Sequence, residues 1–199
     1  MNEIFIYYST LYSSHSCFAD LFVSTLPEFH SSNDSDQTIC EGELTLEECS
    51  AALLSMKNEK SPGSDGLSTN FYKKYWHLIG PHVVASLNFA FRSGSLSTEQ
   101  SRGVISLILK PGKESDKLEN YRPITLLNTD YKIGAKALAT RLKSCNTSLI
   151  GPIQSGFLKG RFIGENIRYV LDCIEFTADN NIPGFLLFVD FQKAFDKIE

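Results

Sequence analysis

Gly184-Phe185-Leu186-Leu187-Phe188-Val189-Asp190-Phe191-Gln192-Lys193-Ala194-Phe195-Asp196 is the stretch on which the reading of this 199-residue chain turns. Six residues, five of them apolar, run into a carboxylate. That is the pattern of a buried strand delivering Asp190 to its carboxyl end. Strand ends of this kind are where sheets flanked by helices bind ligands and metals. A carboxylate there is costly to desolvate unless a metal or a cation meets it. The plainer alternative is an Asp that caps a following helix over Gln192–Ile198. The stretch by itself leaves both readings open.

Composition sets the outer bounds. With 42% apolar residues, the chain can build one medium domain or parts of two. No apolar run approaches the ~20 residues of a membrane span. Met1 to Leu11 shows neither a basic n-region nor a small-residue cleavage site, so no secretory signal is expected. The five cysteines (17, 40, 49, 145 and 173) are odd in number and never in CxxC spacing. That argues against zinc and a disulfide framework and fits a reducing compartment. The net charge of −4 hides an asymmetry. Residues 1–56 hold nine acids and no Lys or Arg, whereas residues 101–170 hold twelve Lys or Arg against five acids. A basic middle feeding an acidic end suits a protein that holds a polyanion beside a metal site; a solvated basic face is the alternative.

Along the chain, residues 1–44 read as an approach segment rather than core, with one amphipathic helix from Phe18 to Phe29 and a polar loop from Ser31 to Thr38. Thr45 and Glu48 have capping-box spacing and open a helix striped by Leu46, Cys49, Leu53 and Met56. Lys57 to Gly66 is a turn-rich break. Helices are expected over Ser68–Ile79 and Pro81–Ser93, with Ser68 as N-cap, Pro81 at the first position of the second, Gly94 as stop and Trp76 in the core. Gly103–Leu109 and Tyr121–Leu127 read as a hairpin, Pro123 placing the return strand on an edge. Its rim carries Lys110, Lys113 and Arg122. Such a rim suits a triphosphate, Lys as a point charge and Arg as a fork, and a merely solubilising tip fits the composition equally. A helix from Thr129 to about Ser148 should turn Ile133, Ala137, Leu138 and Leu142 inward, with Lys132, Lys136 and Lys143 outward. A glycine-punctuated loop spans Gln154 to Arg161. Ile167, Val170, Leu171 and Ile174 then stripe a helix ending near Asn180.

Taken in order, SPGSDG (61–66), ISLILKPGK (105–113), NYRPITLLN (120–128), QSGFLKGR (154–161) and FVDFQKAFD (188–196) resemble the reverse transcriptases of LINE-type (non-LTR) retrotransposons. The resemblance covers roughly residues 45–199. The earlier YYSTLYSS and FADLF look like the linker such polyproteins carry between endonuclease and polymerase. The resemblance implies an α+β, partial right-hand polymerase fold, helix-rich, with a fingers β-hairpin and the first palm strand. Residues 1–44 would be the linker, 45–182 the fingers with helices leading into the palm, and 183–199 the start of the palm. It implies RNA-directed DNA polymerisation with two Mg²⁺ ions, an RNA template, a DNA primer and dNTP. The setting would be a cytoplasmic ribonucleoprotein and then the nucleus, with no membrane.

By the same resemblance, Asp190 matches the first catalytic aspartate and metal ligand, with the Phe191 carbonyl as a further ligand. Phe195 falls at the steric-gate position that rejects a ribose 2′-OH. The backbone N–H groups of Lys193 and Ala194, with Lys110 and Arg122, match the residues that hold the triphosphate. Gln154, Gly156, Phe157 and Arg161 match the template-contacting block. Asp196 matches a structural position. The family pattern also needs a [Y/F]-A-D-D box and a thumb, yet no Asp-Asp pair occurs in these 199 residues. A fragment lacking the C-terminal palm and the thumb, inactive by itself, is therefore expected. Two further readings stand beside it. One is a non-catalytic nucleic-acid-binding remnant using the basic 101–170 face. The other is an unrelated α/β Mg²⁺ phosphotransferase or hydrolase, which the lack of GxxxxGK[ST] and GxGxxG disfavours.

Overall fold

The computed structural model describes residues 2–13 and 38–190. Its elements are α1 (Asn2–Leu11), α2 (Leu46–Ser55), α3 (Thr69–Ser93), α4 (Thr98–Ser101), β1 (Gly103–Leu109), β2 (Tyr121–Leu127), α5 (Thr129–Leu149) and α6 (Ile163–Asp179). The architecture is helix-rich with one two-stranded antiparallel hairpin, an α+β composition. The chain divides into two compact units, Ser31–Thr147 and Met1–His30 with Ser148–Glu199. Each is described by itself.

In the Ser31–Thr147 unit the core joins α2, α3 and α5. Thr45 closes the capping box that the spacing predicts: its hydroxyl accepts from Glu48 N (3.2 Å) and its own N–H donates to Glu48 Oε2 (2.9 Å). That start aims Cys49, Ala52 and Leu53 into a cluster with Leu44, Tyr72, Val84, Leu87, Ile133 and Ala137. Asn88 pins the lead-in segment by reading both backbone groups of Leu44, accepting from its N–H (2.8 Å) and donating to its carbonyl (2.9 Å).

The two helices expected around Gly80-Pro81 are one, α3, 25 residues long and about 37 Å from end to end. An internal Pro costs about 3 kcal/mol. Tyr72 before it and Val84 and Leu87 after it lie on one buried face. Each such side chain contributes roughly 1.5–3 kcal/mol on burial, so continuity wins. Gly80 is a contact site rather than a stop, because a Cβ there would meet the Trp76 ring at 2.9 Å and Leu46 at 3.2 Å. Trp76 packs against the core and donates its Nε1–H to Ser50 Oγ (2.7 Å). Ser68 caps the helix by accepting from Phe71 N, and Gly94 ends it at φ 70°.

α5 departs from its expected inward face. Ile133 and Ala137 are buried, but Leu138 and Leu142 are exposed, and the buried row continues through Arg141 to Cys145. The Arg141 side chain turns in because carboxylate and carbonyl partners await it there. Leu138 instead borders an open groove of about 420 Å³ with Leu44, Leu87, Phe91, Leu96 and Tyr131.

In the other unit, residues 2–11 are helical, within the stretch read from the sequence as part of an approach segment, where no helix was assigned ahead of Phe18. Ile4, Tyr8 and Tyr12 recur at i, i+4 steps, and the rings of Tyr8 and Tyr12 stack at 6.0 Å. α6 forms as its stripe predicts, although none of its residues is buried. The expected strand at 184–189 is not formed. Residues 182–190 carry no regular structure, and Phe185, Leu187 and Phe188 are exposed. A strand satisfies its backbone only by pairing. Among the described residues β1 and β2 pair with each other, and this segment has no partner strand. The helices expected at Phe18–Phe29 and Gln192–Ile198, and the loop from Ser31, lie outside the described residues.

Candidate functional site

The hairpin presents the first group of predicted residues. β1 and β2 pair from Gly103↔Leu127 to Leu109↔Tyr121, and the ladder extends one step through Lys110 N to Asn120 O (2.9 Å). Gly112, at φ 71°, turns the chain, and Lys113 N closes the turn on Lys110 O (3.2 Å). Arg122 lies opposite Ile108, and opposed residues share a face of the ribbon. Lys110 follows Ile108 by two, so alternation puts it on that face diagonal to Arg122. The fold thus gathers Lys110 and Arg122 at one end of the ribbon, with Lys113 in the adjoining turn. Lys110 Nζ donates to Glu119 O (2.8 Å), which holds the ammonium at the rim, while Arg122 and Lys113 are solvent-exposed. The ribbon is apolar but not covered: Val104, Ile105, Ile108 and Ile124 are all more than 40% exposed.

Where the hairpin hands over to α5 stands a residue whose sequence context gave it no special weight. Asn128, between β2 and α5, is buried. Its Oδ1 accepts from Ser64 Oγ (3.3 Å) and Asp65 N (3.3 Å), and its Nδ2 donates to Glu99 O (2.9 Å). Thr129 Oγ1 donates to Leu67 O (2.8 Å). The SPGSDG loop is therefore clamped onto the start of α5. Gly63 is required for that approach, because a Cβ there would lie 2.1 Å from Asn128 Oδ1. The signal for this clamp was a single Asn between an apolar strand and a helix start, and it does not name its partners. Arg141 is the second residue missed. Its Nε and Nη2 fork onto Glu48 (2.6 and 2.7 Å), and it also donates to the carbonyls of Glu41, Gly42 and Glu43. Hydrogen bonds from this guanidinium hold the Glu48 carboxyl at about 2, well below the usual range.

The glycine-punctuated loop belongs to the other unit. Arg161 organises it from inside: Nη1 donates to the carbonyls of Gly151 and Gln154 and Nη2 to that of Ile150. Asn166 adds a bond to Ile153 O (3.0 Å), and Ser155 is buried. The guanidinium expected at a template is thus used on its own loop. Phe157 is presented outward, wholly exposed and at φ 61°, a backbone region that non-glycine residues seldom adopt. Gln154 is exposed beside it.

Asp190 ends the described residues and is exposed. Phe191, Lys193, Ala194 and Phe195 lie beyond them. Mg²⁺ takes oxygen donors in octahedral geometry, so a lone carboxylate is a fitting ligand type but not a site. Among the described residues no three His, Cys, Asp or Glu side chains gather for a metal ion. Nor is any described helix long and apolar enough to cross a membrane.

Comparison with known proteins places the chain among familiar sequences. The family model described as "Reverse transcriptase (RNA-dependent DNA polymerase)" matches residues 108–199. The "Transposon TX1 uncharacterized 149 kDa protein" of Xenopus laevis is 40% identical over 159 residues, covering 80% of this chain and 12% of that protein. The "Putative 115 kDa protein in type-1 retrotransposable element R1DM" of Drosophila melanogaster is 28% identical over 162 residues, 78% of this chain and 15% of that protein. The "RNA-directed DNA polymerase from mobile element jockey" of Drosophila funebris is 26% identical over 157 residues, 78% of this chain and 17% of that protein. The chain thus spans between 12% and 17% of these relatives' lengths. Divalent metals serve the reverse transcriptase family as cofactors, and nucleic-acid template and primer are its partners. The match begins inside β1 and takes in the hairpin rim, the Arg161 loop and Asp190: the chain carries reverse transcriptase domain sequence, homologous to the reverse transcriptases of non-LTR retrotransposons.

Proposed function

We propose that the chain supplies the fingers and the first palm segment of a non-LTR retrotransposon's RNA-directed DNA polymerase. The observation that carries this reading is the hairpin rim, where Lys110 and Arg122 share one face inside the family-matched segment. In this reading the two side chains hold the triphosphate of an incoming dNTP and offset charge on its phosphates. Lys193 and Ala194 add backbone N–H donors, and Phe195 excludes the ribose 2′-OH. Phe157 stacks on a template base, with Gln154 and Gly156 against the backbone and Arg161 keeping the loop in shape. Asp190 and the Phe191 carbonyl are two ligands of a Mg²⁺ site whose other donors come from sequence outside these 199 residues. Residues 1–44 act as linker, 45–182 as fingers and 183–199 as the start of the palm. Work in a cytoplasmic ribonucleoprotein and then on nuclear DNA follows from the same reading.

The 199-residue polypeptide should not polymerise, since it offers Asp190 without an Asp-Asp pair. It should bind an RNA–DNA primer–template with affinity that falls steeply with salt. Fluorescence anisotropy at several salt concentrations, beside a templated dNTP incorporation assay, tests both statements. A flat salt dependence removes the nucleic-acid role, and incorporation by the purified chain refutes the incomplete-site argument. The alternative, a non-catalytic nucleic-acid-binding remnant, shares the binding. It parts from the main reading on whether the transcript continues in frame beyond Glu199 into an A-D-D box.

A further inference from the structure

We propose that Cys40 and Cys145 are a redox-responsive thiol pair that closes to a disulfide on oxidation by a peroxide, tying the segment ahead of α2 to the last turns of α5. The two sulfurs lie 3.5 Å apart although 105 residues separate them in sequence. A disulfide needs about 2.05 Å between sulfurs, so closure asks for roughly 1.5 Å of movement, within reach of side-chain adjustment. The backbones that carry the thiols are already tied together. Arg141, one turn before Cys145, donates to the carbonyls of Glu41, Gly42 and Glu43, the three residues that follow Cys40.

Exposure divides the roles. Cys145 is 1% exposed, whereas Cys40 is partly open to solvent. The peroxide therefore reaches Cys40, and Cys145 resolves the product. The thiolate is the attacking form, and the Arg141 guanidinium, which acts electrostatically on Cys40 and Cys49 alike, is the cation at hand. Cys49 is excluded by its surroundings, since burial pushes its thiol up to about 11. In the first step the Cys40 thiolate attacks one peroxide oxygen; the O–O bond breaks, giving a sulfenic acid and, with a proton, water. In the second the Cys145 sulfur attacks the sulfenic sulfur, its proton leaves with the hydroxyl as water, and the S–S bond forms. Two thiols lose one electron each and the peroxide gains both. In a reducing compartment the pair rests as thiols, in keeping with a cysteine pattern that forms no disulfide framework. Closing so long a loop restricts the unfolded chain, so the oxidised form resists unfolding more strongly.

The test is a peptide map of the full 199-residue chain after brief treatment with hydrogen peroxide and alkylation of remaining thiols. The linked peptide pair containing Cys40 and Cys145 should exceed any other pairing by at least about tenfold under native conditions, and that preference should vanish when oxidation is done in urea. The urea midpoint should rise on oxidation and return with a dithiol reductant. In a Cys145→Ser chain, Cys40 should stop at a sulfenic acid that dimedone traps. Pairing of Cys40 with Cys17, Cys49 or Cys173 as readily as with Cys145 would overturn the proposal, as would over-oxidation of Cys40 with Cys145 still alkylatable after unfolding. The wild-type map needs no substitution, so it decides the matter even if a variant fails to fold.

Discussion

Replacing Arg141 by Ala tests the packing account most directly. The side chain is 9% exposed and donates to both oxygens of Glu48 and to three backbone carbonyls. Removing one partner of a buried pair costs about 3–5 kcal/mol. Glu48 is 33% exposed and regains water, which brings the expected loss to roughly 2–3 kcal/mol. The pH dependence gives an independent measure. Glu48 falls from its ordinary 4.5 to about 2 in the folded chain. Full linkage would come to about 3 kcal/mol, and solvent screening leaves about 1–2 kcal/mol. Because the folded value is depressed, this contribution is complete above about pH 4.5 and is lost as pH falls towards 2. Urea unfolding at pH 7 and at pH 3, followed by circular dichroism, reads both effects. With a slope of about 1–3 kcal/mol per molar, Arg141→Ala should lower the pH 7 midpoint by about 1–2 M. Glu48→Gln should flatten the loss of stability between pH 5 and 3. A pH 7 change within about 0.5 kcal/mol for Arg141→Ala, as at an ordinary surface position, would refute the reasoning. So would parallel pH profiles for wild type and Glu48→Gln.

Gly63→Ala should destabilise by about 2 kcal/mol or more, because its Cβ would fall 2.1 Å from Asn128 Oδ1; thermal unfolding checks this, and a neutral result would mean that the clamp is not tight. Leu53→Ala, at a fully buried site, should cost about 2–5 kcal/mol in the same measurement. Phe157→Ala should leave the melting temperature unchanged, the ring being wholly exposed, and weaken single-stranded RNA binding by about 1–3 kcal/mol. Equal RNA affinity for wild type and variant would remove Phe157 from the interface.

Features written within a few residues of one another were legible in the sequence. The Thr45–Glu48 box, the Ser68 cap, the Gly94 stop and both hairpin strands need only neighbours three or four residues away, or a turn that returns the chain at once. The five motifs in their order identified the family, and the strand ends located Lys110 and Arg122 at the hairpin rim. Tertiary structure alone decided the rest. Pro81 passes inside α3 because apolar residues on both sides of it share one buried face. Arg141 turns inward, and Leu138 does not, because Glu48 stands 93 residues away in sequence with its carboxylate in place. Asn128 meets Ser64 and Asp65 across more than sixty residues. The apolar run before Asp190 reads as a strand, yet pairing decides whether a strand forms, and the described residues offer it no neighbour. A sequence names its donors, acceptors and apolar faces and satisfies the near ones by itself. Which distant group completes each of the others is settled only when the chain closes on itself, since a buried polar group or an open strand edge is stable only with its partner present.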